Sequence, residues 1–203
     1  MNRYAVTVKR EREKMQTVYL DTETTGLRGI HAGGSDEIVE IAICDDDGVA
    51  LVDSLVRPTT KTDWPDAERI NKIAPATVAD APTLEDLLPV IRAAVEGRRV
   101  VIYNAAFDVQ FFPDTVFETS KIACCMLRYA EHAGVWDDYR AAWKWHKLIS
   151  AAERIGYKPD GDFHRALADT LATRAVWNWL NLHDRKIRKS KTRLVEFANS
   201  ATR

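Results

Sequence analysis

An α/β fold, with a mixed sheet carrying helices on its faces, is predicted by two features of the chain. Three apolar, strand-like runs come first, joined by short connections, and beyond Asp66 the pattern changes to helices alternating with further strands. The first three strands therefore read as an antiparallel meander and the later ones as additions to the same sheet. At 203 residues and 46% hydrophobic, the chain can bury one core. Residues 1–203 are accordingly expected to form a single domain with its core at about 17–182.

Thr17–Thr22 is the first strand, its Val18-Tyr19-Leu20 run ending at the charged turn Asp21–Gly26. Arg28–Asp36, with Gly29, Gly33 and Gly34, is longer than such a turn needs and is expected to be mobile. Glu37–Asp45 and Ala50–Val56 are the second and third strands, separated by the turn Asp45–Gly48 and stopped by Pro58. Ala67–Ile73 reads as a short helix before Pro75. Thr83, with Asp86 three residues on, is a capping signature for a helix through Val95, closed by Gly97 and containing Pro89. Arg99–Tyr103 is a fourth strand leading through Asn104-Ala105-Ala106 into a helix that starts near Phe107, and Lys121–Met126 is a short fifth strand. Val135–Ile155, rich in tryptophan, reads as helical. Arg165–Leu182 is an amphipathic helix with Leu167, Leu171, Ala175 and Trp179 on one side. Residues 1–14 form a charged arm that allows a strand at Tyr4–Val8, and 184–203 a basic tail.

No apolar run approaches the roughly 20 residues of a membrane span, and the N-terminus is charged instead of signal-like, so a soluble, cytoplasmic protein is expected. Cys44, Cys124 and Cys125 are odd in number and lack paired metal-ligand spacing. They read as buried thiols, as suits a reducing compartment. The net charge is −1, but its distribution is uneven: Asp45-Asp46-Asp47 is acidic, Lys9–Lys14 is mostly basic, and six of the nine residues in Arg185–Arg193 are Lys or Arg. Either basic run alone is explained by a solvated face or a frayed terminus.

Three short segments carry chemistry. Asp21 and Glu23, two apart on a strand, point to one face, where paired carboxylates repel unless a cation lies between them. A solvated turn would explain the pair taken alone, but it follows directly on an apolar strand, where burial without compensation is costly. Asp108 follows an apolar strand and a small-residue turn at the start of a helix, where the helix dipole alone would favour it. Asn104 is likewise explicable as a turn residue and Phe107 as core. His164 and Asp169, five apart, would diverge on a continuous helix by about 140°, and they converge if His164 lies on the preceding loop. Histidine titrates near neutrality and suits a general base. Four carboxylates without a Cys ligand favour two Mg²⁺, with Mn²⁺ as substitute, over zinc, and two such ions support in-line attack by water on a phosphodiester.

In this order and spacing, Asp21-Thr22-Glu23-Thr24-Thr25-Gly26-Leu27, Asn104-Ala105-Ala106-Phe107-Asp108 and His164-Arg165-Ala166-Leu167-Ala168-Asp169 resemble the three motifs of the DEDDh branch of DnaQ-like 3′–5′ exonucleases. The resemblance spans roughly residues 17–182. It implies an RNase H-like fold with a five-stranded mixed sheet, strands 1–3 antiparallel and then parallel additions, flanked by helices. It further implies that Asp21, Glu23 and Asp169 hold one metal, that Asp21 shares the second, and that Asp108 acts directly or through water. His164 would deprotonate the attacking water. Backbone amides at Thr24, Thr25 and Gly26 would seat the terminal nucleotide, Leu27 would wedge against its base, and Asn104 and Phe107 would shape the pocket. The expected substrate is a nucleic-acid 3′ end, with DNA favoured over RNA and no membrane partner. The alternatives are an exoribonuclease like RNase T or oligoribonuclease, or a proofreading or accessory subunit docking through the basic tail. Several members of that family pair as homodimers, so the resemblance admits a homodimer here.

Overall fold

The computed structural model describes residues 15–159 and 163–200, with side chains as far as 184. The N-terminal arm 1–14, with its expected Tyr4–Val8 strand, lies outside the described residues.

The central element is β1 (Thr17–Thr24), with Val18, Tyr19 and Leu20 buried. It pairs antiparallel with β2 (Ile38–Asp45), which pairs antiparallel with β3 (Ala50–Leu55). On its other side β1 runs parallel to β4 (Arg99–Ile102), and β4 runs parallel to β5 (Lys121–Cys124). The sheet order is β3-β2-β1-β4-β5, which is the mixed five-stranded arrangement expected from the sequence. Short helix α1 (Pro65–Asn71) and the longer α2 (Leu84–Val95) lie between β3 and β4.

Alternation along β1 sorts its side chains between two cores. Val18 and Leu20 join Ile41, Ile102, Ile91 and Phe111 beneath α2, while Tyr19 joins Val101, Tyr103, Tyr129, Val176 and Leu180 on the other face. That second face is covered by α4 (Cys125–Ala133), α5 (Leu148–Arg154) and α6 (Ala166–Ser200). α6 packs across β1 and β2.

Four expectations need correction. Val135–Ile155 is not one helix. α4, which the sequence reading took in part for strand, ends at Gly134 in the left-handed region (φ 69°), and a two-stranded ribbon of β6 (Trp136–Asp137) and β7 (Ala142–Trp143) follows before α5. The aromatic residues about the polar Asp137–Arg140 turn favour strand pairing over helix. Asp108 ends rather than starts its helix: α3 (Ala105–Asp108) is a single turn, succeeded by a 3₁₀ turn at Val109–Phe111 ahead of Pro113. The last helix continues through Ser200 rather than ending at Leu182, since no Gly or Pro interrupts 166–200. The Arg28–Asp36 loop is tied down: Asp36 accepts from Arg28 N (3.0 Å) and pairs with Lys61 (3.0 Å), and Gly29 N donates to Gln110 (3.0 Å).

The Thr83 capping signature forms reciprocally: Asp86 N donates to Thr83 Oγ1 (3.3 Å) and Thr83 N to the Asp86 carboxylate (2.9 Å). Thr83→Ala is expected to cost about 1 kcal/mol in urea denaturation. An unchanged midpoint would show that packing alone holds α2.

Candidate active site

Because Tyr19 faces the α6 side, Asp21 and Glu23, two and four residues further on, point to that side as well. The parallel β1–β4 pairing (Leu20 opposite Ile102) brings Tyr103 and Asn104 to the same end of the sheet, and α3 carries Asp108 back toward β1. There Asp108, buried, accepts hydrogen bonds from Thr22 Oγ1 (2.7 Å) and Thr22 N (3.2 Å). The first turn of α6 presents Asp169, whose Oδ2 accepts from His164 N (3.3 Å) while its buried Oδ1 has no partner. His164 itself is exposed, with φ 70°. A left-handed conformation is strained for a non-glycine residue, and here it turns the His164 amide toward the carboxylate.

A fifth carboxylate was missed by the sequence reading. Glu40 of β2 lies directly opposite Glu23 in the β1–β2 register and is buried. Two like charges facing each other across a strand pair are unfavourable, and the structure compensates one of them. Arg165 donates from Nε (3.1 Å to each oxygen) and Nη2 (2.5 Å) to Glu40, and Ala166 N adds a third donor at 2.9 Å. Glu40 therefore caps α6 from across the sheet and pins the segment carrying His164 and Asp169. A lone glutamate inside the apolar run Ile38–Ile43 was the available signal, but its partner lies 125 residues away.

The remaining acids are left to repel one another. Burial, then the charges of Asp108, Asp169, Glu23 and Glu40, raise Asp21 well above the ordinary carboxylate range. Burial, then Asp169, Glu40 and Asp108, push Glu23 up to about 8 against the opposing effect of Arg165. Burial lifts Asp108 to about 7 despite its Thr22 hydrogen bonds, and Asp169 to about 6 despite the backbone and charge of His164. Glu23, His164 and Asp169 offer donor atoms all within 4.8 Å of one another. Asp21 and Asp108 adjoin this trio without belonging to it. An oxygen-dominated donor set, an orphaned buried carboxylate oxygen and four acids held above their usual range fit a hard divalent cation.

Beside the acids opens a cleft of about 410 Å³ lined by Thr24, Thr25, Gly26, Leu27 and Phe107 together with α1 residues, among them Ile70 and Asn71. Asn71 Nδ2 donates to Thr24 O (3.3 Å), and Thr25 N donates to Glu37 O (2.8 Å). Gly26 is required by close approach, since a Cβ there would lie 2.4 Å from the Asp36 carboxylate. Of the expected pocket residues only Asn104 is absent from the lining. Its carbonyl instead accepts from Phe107 N (2.8 Å) and Asp108 N (3.3 Å) at the start of α3. Ile70 and Asn71 were missed because nothing in their own sequence marks them.

A mixed sheet whose central strand ends in paired acids, faced by a helix that opens on His and Asp, defines an RNase H-like α/β nuclease architecture. The RNase T exonuclease family model matches residues 18–177. Uncharacterized exonuclease CP81 of Escherichia phage 186 is 34% identical over 171 residues, covering 78% of this chain and 84% of that protein. Exodeoxyribonuclease 10 of Escherichia coli K12 is 31% identical over 159 residues, covering 77% of this chain and 64% of the relative. Among solved structures, exonuclease X in complex with 5′ overhanging duplex DNA matches with a TM-score of 0.63 at 28% identity, over 81% of this chain and 90% of that one. E. coli exonuclease I with a dT13 oligonucleotide shares the fold, with a TM-score of 0.68 at 15% identity over 87% of this chain and 43% of the other. The chain belongs to the RNase T exonuclease family, among the DnaQ-like exonucleases of the RNase H-like superfamily, in agreement with its three motifs.

Two outcomes follow from the electrostatics. In the unfolded chain these acids lose their protons near pH 4, whereas the folded chain holds protons on Asp169, Asp108 and Glu23 up to about 6, 7 and 8. The folded state therefore carries the extra protons, and stability falls as pH rises through that window. With chelator present, Tm is expected to fall from pH 5 to pH 8, and Mg²⁺ should restore it at pH 8 far more than at pH 5. A pH-independent Tm in chelator would rule this account out. Separately, Arg165→Ala leaves Glu40 short of its cation and is expected to cost about 1–3 kcal/mol in urea denaturation.

Proposed function

We propose that this protein is a divalent-metal-dependent 3′–5′ exonuclease that removes nucleotides from single-stranded DNA or frayed 3′ ends and releases nucleoside 5′-monophosphates. The observation carrying this reading is the group of carboxylates that cannot all ionise near neutrality on their own, set beside an open cleft of nucleotide size. The DNA bound in the matching exonuclease X complex, and the name exodeoxyribonuclease 10, support DNA as the substrate class.

Asp21, Glu23 and Asp169 would hold the first of two Mg²⁺ ions and Asp21 would share the second, with Asp108 acting directly or through water. Mn²⁺ would serve in the same places. When bound, such ions neutralise the site and stabilise the charge that develops on the attacking and leaving oxygens. Every other task falls to the chain. Backbone amides at Thr24 and Gly26 seat the terminal nucleotide, the expected third donor, the Thr25 amide, being engaged by Glu37 O (2.8 Å); Leu27 and Phe107 border its base, and Glu23 lies near its 3′-hydroxyl. His164, exposed on its loop beside Asp169, takes the proton of the attacking water as the new P–O bond forms and the 3′-oxygen of the preceding nucleotide leaves. The strained backbone at His164 holds its amide on Asp169 while leaving the ring free to reach solvent. Little base-edge readout is needed for a pocket that takes any terminal nucleotide.

The test is digestion of 3′- and 5′-labelled DNA and RNA oligonucleotides of one sequence, with Mg²⁺. Stepwise 3′ shortening of DNA is expected, lost in Asp21→Ala and in Asp169→Ala, whose folds should persist. His164→Ala should cut the rate by about 10²–10⁴. A preference for RNA would move the chain to RNA trimming. Near-normal turnover in a folded Asp169→Ala variant would remove Asp169 from the site.

A further inference from the structure

Apart from the acidic cleft, the described surface concentrates exposed aromatic side chains in one short stretch. Trp136, Tyr139, Trp143 and Trp145, within ten residues, are exposed to 51%, 97%, 39% and 57%. Single exposed hydrophobes need no explanation, but a contiguous group of large rings marks a binding surface. The ribbon pairs two of them. Trp136 lies opposite Trp143, and Lys144 N donates to Val135 O at 2.8 Å, which makes 136–143 the narrow pair where side chains approach most closely. Their rings meet edge-to-face at 5.0 Å. Trp145 lies two residues beyond the end of β7, in the segment that leads to α5. The ribbon and the segment leaving it thus expose three indoles within ten residues. Trp136 and Trp143 brace each other, whereas Trp145 and Tyr139 have no ring partner among the described residues.

Two further observations identify what these rings take. The first is position. The Tyr103 hydroxyl donates to the carbonyl of His146 at 2.8 Å. Tyr103 follows Ile102, the register partner of Leu20, so it stands beside Asp21 and faces the same α6 side of the sheet. The segment that carries Trp145 therefore lies one tyrosine side chain away from the catalytic strand. The second is charge. Arg140 is engaged by Asp137, but Lys144 and Lys147, on either side of Trp145, form no ion pair among the described residues. Exposed rings interleaved with free lysines suit a strand of unpaired nucleotides, in which every base offers a π face and every link a negative charge. A duplex hides its base faces, and an apolar protein surface would leave the two lysines unused.

We propose that the exposed indoles of the β6–β7 ribbon and of Trp145 beyond it, with the neighbouring Lys144 and Lys147, form a stacking platform for the single-stranded DNA lying 5′ of the nucleotide being removed. This rests on the 3′-end reading of the cleft. The platform holds strand that has yet to be cut, so it contributes to the affinity for long substrates and not to the chemical step.

The experiment compares the full chain with Trp145→Ala and with the conservative Trp145→Tyr, on oligothymidylates of about twenty and about three nucleotides. For Trp145→Ala, KM on the long strand is expected to rise about tenfold with kcat unchanged, the short substrate should be unaffected, and Trp145→Tyr should recover most of the loss. An unchanged KM, or an equal rise on both lengths, overturns the proposal. Anisotropy of the labelled long strand, read in chelator, separates the two claims. Wild-type protein that binds the strand more tightly than Trp145→Ala but cuts nothing with Mg²⁺ would sink the exonuclease reading and keep the platform. Equal binding by wild type and Trp145→Ala would sink the platform and leave the exonuclease reading standing. Tighter binding of oligouridylate than of oligothymidylate would overturn the assignment to DNA.

Discussion

Mutual repulsion among the acids gathered at the end of β1 is the constraint around which the rest of the structure is arranged. Asp21, Glu23, Glu40, Asp108 and Asp169 come from four segments and meet within or beside a hydrophobic sheet, where each charge is costly to desolvate. The chain gives Glu40 a partner for each oxygen, through a forked guanidinium and a backbone amide. It gives Asp108 two donors from Thr22 and Asp169 one from His164, and these do not suffice to return either acid to its ordinary range. Compensation is thus complete where a carboxylate holds the scaffold together and partial where it faces the cleft. That division leaves the cleft-facing acids with unspent affinity for a divalent cation, which a fully satisfied set would lack.

Topology makes the gathering feasible. β1 sits between an antiparallel and a parallel neighbour, and each supplies something the other could not. The antiparallel β2 returns Glu40 to a point opposite Glu23, and through it anchors α6. The parallel β4 delivers its own exit, with Asn104 and Asp108, to the same end at which β1 finishes. α6 then lies across β1 and β2 with its opening turn over the acids. Helix α1, remote in sequence from all three motifs, completes the cleft wall through Ile70 and Asn71.

What could be read from the sequence follows from how local each signal is. The five strands and α2 were legible because apolar runs, a Thr–Asp capping pair and turn residues are features of neighbouring positions. Asp21, Glu23, Asp108, His164 and Asp169 were legible because their residue types and spacings are unusual in combination. Glu40 was not, since its meaning depends on Arg165, and no local pattern links a strand glutamate to a helix entrance. The Trp-rich stretch misled for another reason. Its apolar residues fit a helical period loosely, and the preference for strand became decisive only once Trp136 had Trp143 to pack against. The end of α6 was misplaced because basic composition was taken for a tail, although charge alone does not stop a helix.

The alternation that sends Leu20 beneath α2 and Asp21 toward α6 has a consequence for how such a protein evolves. Sliding β1 by one position against its neighbours would drive both acids into hydrocarbon and turn Leu20 out toward the acidic cleft. A mispaired chain would therefore lose its core and its chemistry in the same event, and no partially active, wrongly threaded form would be available for selection to preserve. Catalytic fitness and correct threading are, for this strand, a single heritable trait.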